Sequence, residues 1–293
     1  MAPYDWNTMH VPPAAGGSPP AASEGAPPAW ALILGVSSGT GAAIAEAVAR
    51  KPGLNVFGVH RGRYVDTARE LEARVRGLGR DVHLRQADAS TPEAAEAGAD
   101  ALLQHAGPRS VKLFVHAIAG ASVGHFLSDG PDRLHPRRIQ RTFDCMAHSF
   151  VYWAQALVQR DLLAPDARLL GLQNPLDETH LNNTGLISAA KAALEMYVQH
   201  LAIELGPKGH RVNLLKFGTV MTPALRHVYS PEALALLEAR HAAMTPAGRM
   251  GTLDEVARFV TVLVGDDAAW FNGATIDFTG GMTLRLLDLV LNP

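Results

Sequence analysis

The chain has 293 residues, a formal net charge of −2 and 18% charged residues, an ordinary balance for a globular protein. A charge this close to zero gives no strong field for nucleic acid or an acidic membrane, and no apolar run approaches the ~18–20 residues that span a bilayer, so we expect neither partner. The single cysteine, Cys145, cannot form an internal disulfide and fits a reducing compartment, so we expect a cytoplasmic protein.

The first 29 residues differ from the rest because they hold seven of the 19 prolines and neither lysine nor arginine. The segment has no basic start and no apolar stretch, which argues against a signal peptide. It cannot bury enough surface to offset the entropy of ordering, which predicts a disordered Pro/Ala-rich tail at 1–29. A partner-binding or subunit-clasping role for it stays open. We expect a single Rossmann-type domain at 30–293.

From Trp30 onward, short apolar runs alternate with segments of helical spacing. The apolar runs predict strands at 30–36, 54–60, 81–87, 111–117, 167–172, 211–217 and 274–278. The helical segments cover 41–50, 64–78, 91–106, 137–160, 184–205, 231–244 and 253–264. Seven apolar strands alternating with helices predict an α/β fold, a three-layer doubly wound Rossmann sheet of parallel strands covered on both faces. Such sheets bind ligands at the carboxyl ends of their strands.

The first strand runs into the turn LGVSSGTG, which carries Gly35, Gly39 and Gly41. Glycine permits positive φ and lets backbone N–H groups approach a pyrophosphate, while the following helix points its positive end at the same place. A strand before this turn and a helix after it predict a dinucleotide site. Its other predicted contacts within the turn are Ser37, Ser38 and Thr40.

The end of the second strand, VHRGR, bears on which nucleotide binds, through His60, Arg61 and Arg63. A cofactor with a free ribose 2′-hydroxyl usually meets Asp or Glu here, whereas guanidinium groups suit a phosphate. The sequence therefore favours NADPH over NADH, with a solvated basic loop as the alternative. Further predicted contacts are Asp88 and Ala89 after the third strand, His116 and Ala117 at the end of the fourth, and Gly218, Val220 and Thr222 after the sixth.

Taken together, these features resemble the short-chain dehydrogenase/reductase superfamily from Trp30 to about Leu284. The resemblance rests on the glycine turn, Asp88, HAIAG (116–120), Lys191, Asn213, TPAGRM (245–250) and FNGATIDFTGG (271–281), in that order. It implies a nicotinamide-dependent oxidoreductase in which Lys191 holds the nicotinamide ribose. It also implies a homodimer or homotetramer.

The chain departs from this superfamily at the catalytic tyrosine. In the ordinary branch the tyrosine lies four residues before the lysine, where this chain has Ile187, and the serine and asparagine positions fall at Asn174 and near Met146. In the enoyl-thioester reductases the tyrosine lies seven residues before the lysine, where this chain has Thr184. Ile187, HAIAG and TPAGRM resemble this second branch, whose bacterial NADPH-using members are closest. The chain thus resembles the enoyl-(acyl-carrier-protein) reductases but lacks their acid.

Loss of the phenol affects two reductions differently. A ketone that accepts hydride becomes an alkoxide that needs a proton in the transition state, whereas an enoyl thioester becomes an enolate that hydrogen bonds can hold until solvent protonates it. We therefore expect an NADPH-dependent reductase of an enoyl, less readily a keto, acyl thioester in fatty-acid or specialised metabolism. A pocket reused for cyclisation, dehydration or isomerisation, and a non-catalytic NADPH-binding protein, stay open.

The candidate catalytic residues are Lys191, Asn174, Thr184 and His180. His180 stands in the loop PLDETHLNN (175–183) and titrates near neutrality, although an exposed loop histidine is the alternative. The candidate substrate contacts are Ile118, Met146, Ile187 and Tyr229. Tyr229 stands in TPALRHVYSPEAL (222–234), where the resembled family has a mobile lid, and packing within that lid is the alternative.

The sequence also bears on two further classes of site, a metal site and a docking surface. The histidines show neither H-E-x-x-H nor paired-cysteine spacing, so we expect no metal site. Arg137, Arg138 and Arg141, with Arg133 just before them, fall close together at the predicted mouth of the cleft. An acidic acyl carrier protein could dock there, and a solvated helix face is the alternative.

Overall fold

The computed structural model of the protein describes residues 28–175, 182–228, 230–282 and 284–285. Within these residues, seven parallel strands form one sheet in the order β3-β2-β1-β4-β5-β6-β7. The strands are β1 (Trp30–Leu34), β2 (Asn55–His60), β3 (Val82–Gln86), β4 (Val111–His116), β5 (Leu163–Gln173), β6 (Arg211–Phe217) and β7 (Thr275–Phe278). The predicted fold is confirmed. The predicted tail lies almost wholly outside the described residues and stays a prediction.

The helices lie on both faces of this sheet. They are α1 (Gly39–Arg50), α2 (Val65–Gly77), α3 (Pro92–Ala106), α4 (Pro136–Phe143), α5 (Ser149–Gln159), α6 (Gly185–Leu205), α7 (Pro223–Val228), α8 (Pro231–Met244) and α9 (Leu253–Val264). A π-helical turn, Asp144–His148, joins α4 to α5.

The residues of β1 show why this sequence forms a central strand. Trp30, Leu32 and Leu34 belong to one buried core, which also contains side chains of α5 and α6. Ala31 and Ile33 belong to a second core on the opposite face, with side chains of α1 and α9. Because both faces are covered, the strand is apolar throughout instead of alternating with polar residues.

Three local features differ from the sequence prediction. The helix predicted at 137–160 is divided by the π-helical turn, whose extra residue leaves no trace in apolar spacing. Strand β5 begins at Leu163, before the predicted 167, because Leu163 already pairs with Val111 ahead of a register shift. Helix α7 lies in the segment where the resembled family has a mobile lid and where the apolar spacing predicts no helix before 231.

The strand order places one cleft. The chain runs from β1 outward to β2 and β3, then returns to β4 on the other side of β1. The carboxyl ends of β1 and β4 therefore lie at the point where the direction reverses, which is where such sheets bind ligands. The Ala117 N–H donates to the Leu34 carbonyl at 3.0 Å, so the turns that follow β1 and β4 lie side by side.

Candidate active site

A cleft opens over the tips of β1 to β4 and contains about 960 Å³ of empty space, part of it open to solvent. It is lined by Gly35, Ser37, Ser38, Gly39, Thr40, Val59, His60, Arg61, Arg63, Tyr64, Ala87, Asp88, Ala89, Ala117, Ile118, Ala119, Thr222 and Pro223. Most of the predicted cofactor contacts thus lie around one space. Val59, Tyr64, Ala87, Ala119 and Pro223 were not predicted, although each lies next to a predicted contact or within a quoted motif.

The glycine turn is closed too tightly for side chains. A Cβ at Gly41 would lie 2.3 Å from the Gly35 carbonyl oxygen, and one at Gly35 would lie 2.5 Å from the Ala117 carbonyl oxygen. Helix α1 begins at Gly39, whose φ is +58°. Within the described residues the Ser38 side chain makes no capping hydrogen bond, so the first N–H groups of α1 remain for a ligand. A phosphate group fits this position.

Asp88 lies on the far side of the cleft. Its Oδ1 accepts hydrogen bonds from the Ser90 N–H at 3.2 Å and the Ser90 hydroxyl at 2.7 Å. Burial favours a higher pKa for Asp88, but these hydrogen bonds, together with the charges of Arg61 and Arg141, lower it. Asp88 is therefore a carboxylate that can accept a hydrogen bond from the amine of a bound base.

The Arg61 side chain reaches from the end of β2 toward the turn after β4. A Cβ placed at Gly120 would lie 3.2 Å from Nη2 of Arg61 and 2.8 Å from Sγ of Cys145. His60, the residue before Arg61, accepts a hydrogen bond from the Gly62 N–H at 3.2 Å. Burial lowers the pKa of His60. Because Arg63 also lines the cleft, two guanidinium groups are available to an anionic ligand.

His116 is a structural residue at the tip of β4. Its Nε2 lies 2.8 Å from the Ser149 hydroxyl oxygen, and that hydroxyl donates to the Cys145 carbonyl at 2.9 Å. His116 must therefore be the donor to Ser149, which leaves its Nδ1 as an acceptor. Burial, helped by the charge of Lys191, lowers the pKa of His116 to about 3, so its ring is neutral at physiological pH. Through Ser149, these hydrogen bonds link the end of β4 to the π-helical turn.

Lys191 lies on α6 and is 5% exposed. Its Nζ donates a hydrogen bond to the Leu172 carbonyl at 2.6 Å, which fixes the ammonium group against the end of β5. Burial lowers the pKa of Lys191 to about 8. The group thus changes charge close to physiological pH, which is uncommon for lysine.

Three of the four predicted substrate contacts, Ile118, Met146 and Ile187, form one apolar wall beside Lys191. Met146 is buried in a small cluster with Cys145 and Ala190, and Ile118 and Ile187 pack against it. Burial raises the pKa of Cys145, so its thiol stays protonated. Because Ile118 also lines the cleft, this wall joins the cleft to the helix that carries Lys191.

The other candidate residues take different positions. Thr184 is the buried N-cap residue of α6, two turns before Lys191. Asn174 follows β5, and its Oδ1 is buried with no hydrogen-bond partner among the described residues. His180 and Tyr229 lie outside the described residues, so their proposed roles stay predictions.

The segment after β6 is divided between cleft and core. Thr222 lines the cleft, 3.6 Å from where a Cβ of Gly39 would be, and its hydroxyl accepts a hydrogen bond from the Leu225 N–H at 3.2 Å. Val220 is buried in the core beneath α1 and α9. Gly218 lies beside Thr279 and is not among the residues that line the cleft.

Sequence reasoning missed Gln173, the last residue of β5. It is 2% exposed, and both polar atoms of its side chain lack a hydrogen-bond partner among the described residues. Its place immediately before Asn174 is the one signal in the sequence that could have drawn attention to it.

The part of the chain that the structure describes contains no group of three or more His, Cys, Asp or Glu side chains placed to hold a metal ion. None of its helices combines the length and apolar character needed to cross a membrane.

A doubly wound sheet with a glycine turn after β1 and a buried lysine on α6 defines a short-chain dehydrogenase/reductase. The chain belongs to the family described as Enoyl-(Acyl carrier protein) reductase, whose sequence pattern matches residues 35–283. The resemblance seen in the sequence, including the enoyl-reductase branch, is confirmed. The protein is an oxidoreductase of a family that uses nicotinamide cofactors.

Two relatives show the range of the family. A 1-cyclohexenylcarbonyl-CoA reductase of Streptomyces collinus is 28% identical over 253 residues, which cover 86% of each chain. The enoyl-(acyl-carrier-protein) reductase (NADH) FabI of Escherichia coli strain K12 is 28% identical over 261 residues, which cover 88% of this chain and 95% of the relative.

Two solved structures share the fold. A short chain dehydrogenase from Burkholderia cenocepacia J2315 in complex with NADP has a TM-score of 0.71 at 27% identity, over 86% of this chain and 96% of the other. A short-chain dehydrogenase/reductase from Serratia marcescens BCRC 10948 has a TM-score of 0.72 at 22% identity, over 87% and 98%.

Proposed function

We propose that the protein is an NADPH-dependent reductase of enoyl acyl thioesters in fatty-acid or specialised metabolite biosynthesis. One observation carries the choice of substrate. The face of α6 that presents the buried Lys191 carries Ile187 one turn earlier and Thr184 two turns earlier, so neither position supplies a phenol. A substrate whose product anion needs no immediate proton suits such a site.

The cleft fits a dinucleotide. The turn at Gly35 and Gly41 has no room for a Cβ, so a pyrophosphate can approach its backbone, and the start of α1 supplies N–H donors. Arg61 and Arg63 suit the 2′-phosphate of NADPH, and Asp88 suits the amine of adenine. When bound, the dihydronicotinamide supplies a hydride to the β-carbon of the substrate, whose carbon–hydrogen bond forms as the nicotinamide C4–H bond breaks.

The remaining groups of the site hold and shield the reacting atoms. The Lys191 ammonium, which is fixed at the end of β5, would hold the hydroxyls of the nicotinamide ribose. Ile118, Met146 and Ile187 contact the acyl chain and exclude water, which strengthens every hydrogen bond to the developing enolate. Asn174 supplies a further polar contact, and solvent protonates the α-carbon afterwards. His116, which is buried with its Nε2 bonded to Ser149, has a structural role in this proposal.

Two properties of relatives support parts of this proposal, and a third differs from it. The Streptomyces collinus relative is named as a reductase of an unsaturated acyl-CoA. The Burkholderia cenocepacia structure contains NADP. The Escherichia coli relative is named for NADH, so the nucleotide preference of this chain rests on its own Arg61 and Arg63 and needs a direct test.

The test is an absorbance assay of reduced nicotinamide with crotonyl-CoA and, separately, with simple ketones, each with NADPH and with NADH. We expect oxidation of NADPH with the thioester and little with the ketones. Turnover of ketones at equal rates would contradict the substrate assignment. Nucleotide binding without oxidation for any thioester would favour a repurposed or non-catalytic protein.

We further propose that the protein works in the cytoplasm as a homodimer or homotetramer on a carrier-bound substrate. Arg133, just before α4, and Arg137, Arg138 and Arg141, within it, are all exposed. An acidic acyl carrier protein complements such a surface, and attraction of this kind chiefly raises the association rate. A KM for crotonyl-carrier no lower than that for crotonyl-CoA at low salt would argue against carrier recognition.

A further inference from the structure

Four of the eight buried side-chain polar atoms that lack a partner among the described residues lie at the tips of β4 and β5. Nδ1 of His116, Nε2 and Oε1 of Gln173, and Oδ1 of Asn174 have no hydrogen-bond partner among the residues that the structure describes. Buried polar groups in native proteins are nearly always paired, and leaving both ends of an amide unpaired costs stability. Gln173, which is 2% exposed, therefore needs an explanation that packing does not provide.

The Gln173 side chain faces the catalytic helix. Side chains alternate along β5, and Gly171, two residues earlier, faces α6, since a Cβ there would lie 3.4 Å from Val198 and 3.5 Å from Leu194. Gln173 therefore projects to the same side. The carbonyl of its neighbour Leu172 accepts the hydrogen bond from the Lys191 ammonium, so the ammonium lies next to the residue that carries the amide.

The unpaired amide can supply the hydrogen bond to the substrate oxygen that a catalytic tyrosine would otherwise donate. An amide N–H donates a hydrogen bond at any pH but does not give up its proton, so it can hold a carbonyl oxygen that becomes negative. It cannot protonate the alkoxide left by ketone reduction. A buried amide in place of a phenol therefore selects for substrates that form a delocalised enolate.

We propose that Nε2 of Gln173 donates a hydrogen bond to the carbonyl oxygen of the acyl thioester and stabilises the enolate formed from it. This inference rests on the proposed reduction of enoyl thioesters. Gln173 is then a catalytic residue whose amide gains its hydrogen-bond partner when the substrate binds. In the free protein the amide has no partner, and this lowers the stability of the fold.

The test compares Gln173→Met with wild type. Methionine has a similar length without strong hydrogen-bonding groups, so the variant should lower kcat for crotonyl-CoA by about 10²–10³-fold. Its dissociation constant for NADPH should stay within about twofold, while its Tm should rise because the unpaired amide is gone. Loss of activity with a gain in stability is a combination that a structural role does not produce.

The matched control is Asn213→Leu. Asn213 is another buried amide, but it is fully engaged: its Nδ2 donates to the Phe271 carbonyl at 2.8 Å and its Oδ1 accepts from the Ala274 N–H at 3.0 Å. Replacing it should lower Tm and leave kcat per folded molecule unchanged.

A second variant, Gln173→Glu, keeps the shape and places a carboxylate near the enolate, so its turnover should fall steeply at pH 8 and recover partly as the pH is lowered.

Each outcome decides the matter. If wild type reduces crotonyl-CoA and both Gln173 variants stay within about threefold of its kcat at pH 8, the inference is wrong and the proposed function stands. If Gln173→Met loses activity together with stability, as a paired structural amide would, the inference is also wrong, because the amide then holds an internal water or the fold. If wild type reduces no thioester, the proposed function and this inference fall together.

Discussion

The buried ammonium of Lys191 makes a quantitative prediction about stability and pH. Its pKa of about 8 in the folded protein lies below the value of 10.5 for free lysine, a difference worth about 3 kcal/mol. Below pH 8 both folded and unfolded chains carry the proton, and the folded protein bears the whole cost. Between pH 8 and 10.5 the unfolded chain holds more protons, so the stability of the wild type rises with pH.

The perturbation is Lys191→Met, which removes this titration. The free energy of unfolding of wild type relative to the variant should increase by about 2–3 kcal/mol between pH 7 and pH 10. Urea unfolding of both proteins at the two pH values measures it, since effects of all other titrating groups cancel in the comparison. Lys208→Met, at an exposed position, is the control and should show no such change. A difference that stays constant within about 0.5 kcal/mol would refute the burial of a charged Lys191.

Three further predictions concern the cleft. Gly41→Ala should weaken NADPH binding at least tenfold and destabilise the protein by about 1–3 kcal/mol, because the new Cβ would collide with the Gly35 carbonyl. The control is Gly77→Ala on α2, where a Cβ would meet nothing within 4 Å. That substitution should stabilise the protein by about 0.4–1 kcal/mol. Unfolding curves and calorimetric titrations of both variants check this, and equal effects would contradict the steric argument. Arg61→Glu should raise the dissociation constant for NADPH about 10–100-fold and change that for NADH little. Equal losses of affinity for the two nucleotides would argue against recognition of the 2′-phosphate by Arg61. Thr184→Tyr should raise the rate of crotonyl-CoA reduction by up to about 10²-fold in a folded variant. If only Ile187→Tyr gains activity, and that activity is ketone reduction, the site resembles the ordinary branch instead.

The central strands could be predicted because their residues meet apolar surroundings on both faces. WALIL in β1 is buried at all five positions, so its composition carries the information by itself. The glycine turn was predictable for a similar reason, since the collisions that a Cβ would cause at Gly35 and Gly41 are avoided by one residue type only. Both signals are local in the sequence.

Features that depend on distant segments could not be predicted in this way. The reach of Arg61 toward Gly120 and Cys145 joins three segments that are far apart in the chain, and no spacing rule connects them. The π-helical turn changes the helix by one residue without changing its composition. The unpaired Gln173 amide depends on what surrounds the end of β5, and the sequence there shows merely a polar residue at the end of an apolar run.

The measurement that tests the central claim most directly is a calorimetric titration of the purified protein with NADPH and, separately, with NADH. The arrangement of the glycine turn, Arg61 and Lys191 predicts saturable binding of one NADPH per chain, tighter than binding of NADH, and at least tenfold weaker in the Gly41→Ala variant. Absence of any binding heat for either nucleotide at millimolar concentration, or equal affinities in wild type and Gly41→Ala, would contradict a dinucleotide site over these strand tips.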